Sequence, residues 1–372
     1  MPNLKKGKHA RDWKVQVDRI AGQVRHNCDV SDAKNAGLYS ICGLALRLRD
    51  LFKWEMGLPP WEEKDSPEIL DWIGGREQRW EKLADDHFSR ISIQGQDFDP
   101  FNTAAINALL EPAGLYYGAG YAHGLKPTFF LAHLERKELV DGIAVVIVGK
   151  ELARDLLTIP ALSQDHCVIL RQDSARLHLW DKMFYLKKSA RPALQFALEC
   201  SGLQAKTGDG LRPGLEAVCE AHRDNYIYHE IGEIRDAVFE REEWREMIAL
   251  YSHSPVELLV RSIKDLLADT NEHGTLQHII AERNAAAFGL YAAFIDGLAK
   301  EIFSEVAPAF QELAASGDWQ AVRSAMEAGY TRARRISEQI INLHREGKQK
   351  NEPQWARCAI EQQVLGSIIK RS

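Results

Sequence analysis

The chain has 372 residues, too many for one ordinary hydrophobic core, so two domains are expected. Its 45% hydrophobic and 27% charged residues fall in the globular range, which excludes a disordered or fibrous chain. A net charge of -6 argues against a sequence-independent nucleic-acid binder, which needs a basic surface.

In chain order, residues 1–14 read as a basic tail, followed by a short helix through Val15, Ile20 and Val24. No apolar segment of a signal peptide follows that tail. Asn35 to Met56 carries a broad apolar stripe (Leu38, Ile41, Leu44, Leu48, Leu51) and stops at Gly57 and Pro59-Pro60. Asp65-Ser66-Pro67-Glu68 opens another helix with a capping residue and an early proline, and Asp99-Pro100 starts a short one that ends near Leu110. The middle of the chain changes character. Leu115 to Tyr121, Thr128 to Leu134, Gly142 to Val148 and Cys167 to Arg171 read as strands, the second and third pairing as an antiparallel hairpin. Lys150 to Leu157 and Ser174 to Lys188 read as helices. Apolar runs such as Ile143 to Val148 are too short to span a bilayer.

Ser201 to Gly214 holds four glycines and a proline and is the expected domain boundary. Everything after it reads as helix. Glu216 to Glu240 places Ile227, Ile231, Ile234 and Val238 on one face, with His222, Tyr226, His229, Glu233 and Asp236 opposite. Ser254-Pro255-Val256-Glu257 is a capping box that opens a helix burying Val256, Leu259, Ile263 and Leu266. Thr275 to about Val306 reads as one long helix, broken by Pro308. Asp318 caps another, which runs to Gly347, and Pro353 opens the last.

The expected fold is mainly α with a small antiparallel sheet (α+β). An N-terminal α+β domain (residues 1–200, sheet at about 115–171) precedes a linker (201–214) and a C-terminal helical bundle of about five helices (215–372). Six scattered cysteines form no C-x-x-C pair, so a zinc knuckle or redox pair is not indicated and a reducing, cytoplasmic setting is expected.

His229-Glu230-Ile-Gly-Glu233 is H-E-x-x-E, one residue from the zincin pattern H-E-x-x-H. Residues four apart share a helix face, so both can reach one metal, and Glu230 can act as base beside it. A carboxylate second ligand suits iron, zinc or manganese. His222, two turns earlier on the same stripe, is a further ligand candidate, and Tyr226 a proton donor. His278 and Glu282 form a second His/Glu pair at the same spacing. Two such pairs facing across a bundle loosely resemble the metal sites of ferritin-like and haem-oxygenase-like metal oxidases, though the Glu-x-x-His of ferritin-like sites occurs nowhere in the chain.

The expectation is therefore a divalent-metal enzyme, hydrolytic or oxidative, with Glu230 and Tyr226 catalytic and His222, His229, Glu233, His278 and Glu282 on the metal. The alternative is a non-catalytic helical interaction or scaffold protein. Its partners would be a small-molecule substrate or another protein, with oligomers possible and neither nucleic acid nor membrane involved.

Overall fold

The structure, a computed structural model, describes residues 3–203 and 212–369, with the side chains of the first helix described from Trp13 onward. It is 67% helical, so helix dominates as expected.

α1 (Asn3–Asn35) is one helix where a tail and a short helix were expected. Its stripe of Ile20, Val24 and Cys28 is fully buried with Phe129, Leu131 and Ala153, and this packing carries the helix past the reach of local propensity. α2 (Ile41–Glu55) starts at Ser40, whose Oγ accepts the Gly43 N–H at 3.1 Å. α3 (Ser66–Leu83) has its proline in the first turn. A small hairpin follows, β1 (Ile91–Ile93) and β2 (Gln96–Phe98), and then α4 (Thr103–Leu110). Asn107 of α4 fixes the next strand by two bonds to the Tyr117 backbone, donating to its carbonyl at 2.9 Å and accepting its N–H at 2.8 Å.

The main sheet comprises β3 (Leu115–Tyr121), β4 (Pro127–Val140), β5 (Ile143–Arg154), β6 (Ala161–Gln164) and β7 (Cys167–Arg171), in the order β3-β4-β5-β7-β6. It is mixed, which corrects the expected antiparallel sheet. β3, β4 and β5 do pair antiparallel, but β7 is inserted between β5 and β6, a crossover that a simple meander lacks. The hairpin arms run longer than expected, through the charged stretch to a two-residue turn at Asp141 (φ 48°) and Gly142 (φ 79°). Asp-Gly favours that left-handed turn, so the tip was readable and the polar arms hid it. The helix expected over Lys150 to Leu157 is instead the end of β5 and the loop after Arg154, with Glu151 and Ala153 paired to Ala132 and Leu131. Cross-strand pairing overrides a weak helical pattern there. Gly118 lacks a side chain because Phe130 lies directly over it: a Cβ would sit 2.0 Å from the ring.

Three ionisable groups are sealed inside this part of the chain. Lys126 lies 2.9 Å from Asp32 and 3.2 Å from Asp155, all at most 1% exposed. Both carboxylates also accept backbone N–H groups, Asp32 from Leu156 and Asp155 from Leu157. Burial opposes the Lys126 charge, but the two carboxylates outweigh it and raise its pKa.

The chain divides into two compact units, Met1–Pro160 with Ile169–His178, and Ala161–Val168 with Leu179–Ser372. Apart from β6 and the start of β7, the second is helical: α5 (Gln172–Phe184, from its Leu179 on), α6 (Arg191–Cys200), α7 (Leu215–Arg235), α8 (Arg241–Leu250), α9 (Pro255–Thr270), α10 (Thr275–Glu282), α11 (Ala285–Phe294), α12 (Gly297–Ile302), α13 (Val306–Ser316), α14 (Trp319–Lys350), α15 (Pro353–Ala359) and α16 (Gly366–Ile369). The glycine-rich boundary expected at 201–214 lies inside this unit, and its residues 204–211 are outside the described residues. The reason is α6, which packs tightly on α11: a Cβ on Gly289 would lie 2.9 Å from Ala197 and 3.0 Å from the Ala193 carbonyl.

The long helix expected over Thr275 to Val306 is three helices. Arg283 turns left-handed (φ 49°), and Asn284 then caps α11 by accepting the Ala287 N–H at 3.0 Å. Pro308 lies in the first turn of α13, where a missing N–H costs nothing, so it does not end a helix. The capping box is present as expected: Ser254 Oγ accepts the Glu257 N–H at 3.4 Å and Glu257 accepts the His253 N–H at 2.9 Å. Leu259, Ile263, Ile279, Val322, Ile340 and Ile360 are fully buried in one core. No described helix is long and apolar enough to cross a membrane.

Lys126→Met should destabilise the protein by about 3–5 kcal/mol, because it strands two buried carboxylates. Urea denaturation of the variant at neutral pH measures it, and a loss under about 1 kcal/mol would contradict a buried charge triad.

Candidate functional site

α7 is covered on both faces. Ile227 and Ile231 are buried as expected, but so are His222, Asn225, Glu230 and Gly232. The stripe opposite the isoleucines therefore does not face open water. What covers part of it is α9. Gly232 lets the two helices approach until a Cβ there would lie 2.1 Å from the Ala268 carbonyl oxygen, and Gly274 would meet the same oxygen at 1.9 Å. Asn271 closes the contact by donating to the Gly232 carbonyl at 3.0 Å.

This approach brings His229 and Glu233 of α7 against Lys264, Asp265 and Asp269 of α9. His229 Nδ1 lies 2.8 Å from Asp269 Oδ1. Asp269 is itself held by the Thr275 hydroxyl at 2.9 Å and the Tyr291 hydroxyl at 3.1 Å. The other ring nitrogen, Nε2, points at Asp265 Oδ1, 4.0 Å away. Glu233 accepts from the Lys264 ammonium, which also sits 4.5 Å from the centre of the Trp244 ring. One donor atom each from His229, Glu233 and Asp265 lies within 4.8 Å of the others, a spacing that one metal ion can bridge. His229 and Glu233 are 27% exposed and Asp265 is 56% exposed, so the cluster opens to solvent on the Asp265 side.

The charges are strongly coupled. Burial opposes the His229 imidazolium, but the Asp269 charge and hydrogen bond, with Asp265 and Glu230, hold its pKa well above the usual histidine value. Glu230 is buried beside Glu233, and these two effects push its carboxyl up to about 7 despite His229. Burial also works against Glu233, yet Lys264 keeps its carboxyl below the usual value.

The remaining expected residues lie elsewhere. His222 is packed edge-on against Tyr226 (4.6 Å) and Phe294 (5.5 Å), and its Nδ1 takes a hydrogen bond from Asn225 at 3.0 Å. His278 stacks on Tyr228 at 3.7 Å and faces Asp224, on another side of α7. Glu282 is exposed at the end of α10. Of the expected ligands, only His229 and Glu233 come together. Asp265 and Asp269 were missed. Their spacing of four on α9 was a usable signal, but that helix was read only for its apolar stripe.

The chain belongs to a family of unknown function, DUF6866, matching its N-terminal domain over residues 19–171 and its C-terminal domain over residues 176–363. No curated protein and no solved structure matches the chain. The boundary between the family's two domains falls within the Ile169–His178 segment of the first unit, just before the second unit resumes at Leu179. The His229 cluster falls in the C-terminal domain.

Because its pKa is raised, Glu230 stays protonated in the folded protein at pH values where the unfolded chain has released that proton. This contribution to stability is complete below about 4.5 and is lost as pH rises through about 7. Glu230→Gln should therefore be the more stable form at pH 8, by about 3 kcal/mol, with little difference near pH 4.5. Urea midpoints of both proteins at the two pH values test this, and equal gaps would refute it. Gly232→Ala should cost about 1–3 kcal/mol by forcing α7 off α9, read as a fall in thermal midpoint.

Proposed function

We propose that the protein is a divalent-metal enzyme whose site lies in a C-terminal helical bundle, with His229, Glu233 and Asp265 as ligands. The observation that carries this reading is the His229–Asp269 bond. A ligand histidine commonly gives its second ring N–H to a carboxylate, which fixes the ring and aims the other nitrogen at the metal. Here Asp269 takes Nδ1, two hydroxyls hold Asp269 in turn, and Nε2 is left facing Asp265. One imidazole and two carboxylates suit manganese or iron, with zinc next.

When bound, the metal supplies Lewis-acid or redox chemistry at the solvent-open side of the cluster. The chain's own groups do the rest. Asp269 orients His229, and Lys264 balances part of the carboxylate charge. Glu230, pushed up to about 7, is suited to hold or pass a proton near neutral pH. Tyr226 lies against His222 and takes no part in this cluster. The substrate would be a small molecule reaching the exposed Asp265 edge, and the scattered cysteines support a cytoplasmic setting.

Protein purified without a chelating tag should carry about one manganese, iron or zinc per chain by elemental analysis. His229→Ala and Asp265→Asn should abolish uptake of added manganese, while His222→Ala, His278→Ala and Glu282→Gln retain it. Asp269→Asn should weaken it by about 10- to 100-fold. Affinity should rise with pH, because the metal takes the place of the Nε2 proton. A chain from metal-replete cells that carries no metal and takes up none would reject the proposal.

A further inference from the structure

The second unit also holds a cavity of ≈600 Å³ between the C-terminal end of α7, the turn from α9 to α10, and α14. Its volume lies within the range of small-molecule sites. Three guanidinium groups line it: Arg235 from the last turn of α7, and Arg323 and Arg334 from α14. The two on α14 are eleven residues apart, so they share one face of that helix, with Tyr330 between them. Like charges converge in this way only against a cost, unless carboxylates or a ligand balance them.

The partners of these groups are unequal. Arg334 bonds Glu338 at 3.2 Å. Arg235 donates to His273 Nδ1 at 3.1 Å, which assigns that ring's N–H to Nε2. Arg323 is half-buried and, among the described residues, makes no hydrogen bond, ion pair or ring contact. A guanidinium carries five N–H donors that must be matched when water is partly excluded.

The carboxylates on the same walls do not match it. Asp236 accepts the Val238 N–H at 3.0 Å, the Glu272 side chain is 87% exposed, and Glu327 is exposed. Val238 and Met326 add apolar surface to the same walls.

We propose that this cavity binds a small anionic compound bearing a phosphate or carboxylate group, anchored by Arg323 and helped by the Arg235–His273 pair. The guanidinium fork matches both oxyanions with two parallel hydrogen bonds. The site is separate from the His229 cluster and needs no metal.

Metal-free full-length protein is titrated by calorimetry with inorganic phosphate and, in a second arm, with succinate. Saturable binding is expected in at least one arm, and the arm that responds assigns the anion. Arg323→Gln should weaken it by about tenfold or more, with the thermal midpoint unchanged. Arg235→Gln, at an exposed position, should weaken it as well, so a folding defect at Arg323 would not hide the effect. Arg241→Gln, on α8, should bind like the native protein. No saturation with either anion, or native binding by both Arg323→Gln and Arg235→Gln, overturns the proposal. Manganese uptake is scored separately, so this site and the metal site fail independently.

Discussion

The His229 cluster of the second unit depends on how closely α7 approaches α9. Two glycines, Gly232 and Gly274, leave room around one carbonyl oxygen, that of Ala268, which a Cβ at either position would strike. A glycine inside a helix costs about 1 kcal/mol relative to alanine. Here that cost is offset by a helix contact tight enough to bring side chains from both helices into hydrogen-bond range. Gly232 lies inside the H-E-x-x-E segment itself, so one short stretch supplies both the ligand candidates and the gap that lets α9 reach them.

The two charge clusters differ in how far they are closed to solvent. Lys126 with Asp32 and Asp155 is sealed, with every member at most 1% exposed and the carboxylates also bonded to backbone N–H groups. Nothing can exchange with it, and its effect is on stability. The His229 cluster has similar chemistry, but Asp265 stands more than half exposed at its edge. An ion or substrate can enter on that side without unfolding anything. Exposure of a single carboxylate is the main difference between them.

Much of this was legible in the sequence. β3 and β7 lie where alternation and apolar runs place them, and the Ser254–Glu257 box caps α9 as read. His229 and Glu233 meet because four residues is close to one helical turn, a purely local relation. His222 failed for an equally local reason. Seven residues are two turns, and a rise of 1.5 Å per residue puts it about 10 Å along the axis from His229, beyond the reach of one ion. His278 failed for a different reason. Which helix covers the stripe on α7 is a tertiary fact, and the left-handed turn at Arg283 that shortens α10 has no glycine to announce it. With α9 as the neighbour, Asp265 and Asp269 stand beside His229 where His278 and Glu282 were expected.

The balance of charge explains why the cluster should prefer a cation. Glu230, Glu233, Asp265 and Asp269 crowd around His229 and Lys264, and Arg261 acts more weakly on Glu233. Arg261, one turn before Asp265, is turned to Glu257 at 2.9 Å. Protons are held tightly here: burial and Glu233 keep one on Glu230 up to about 7, and the neighbouring carboxylates keep the second on His229 well beyond the ordinary range. The raised proton affinity of His229, which its carboxylate neighbours cause against burial, means that the same negative potential acts on any other cation that fits. A divalent ion seated among His229, Glu233 and Asp265 would displace the histidine proton and add one net positive charge at that point. Protons and such an ion would thus compete for the same negative potential, which the contact at Gly232 holds in place.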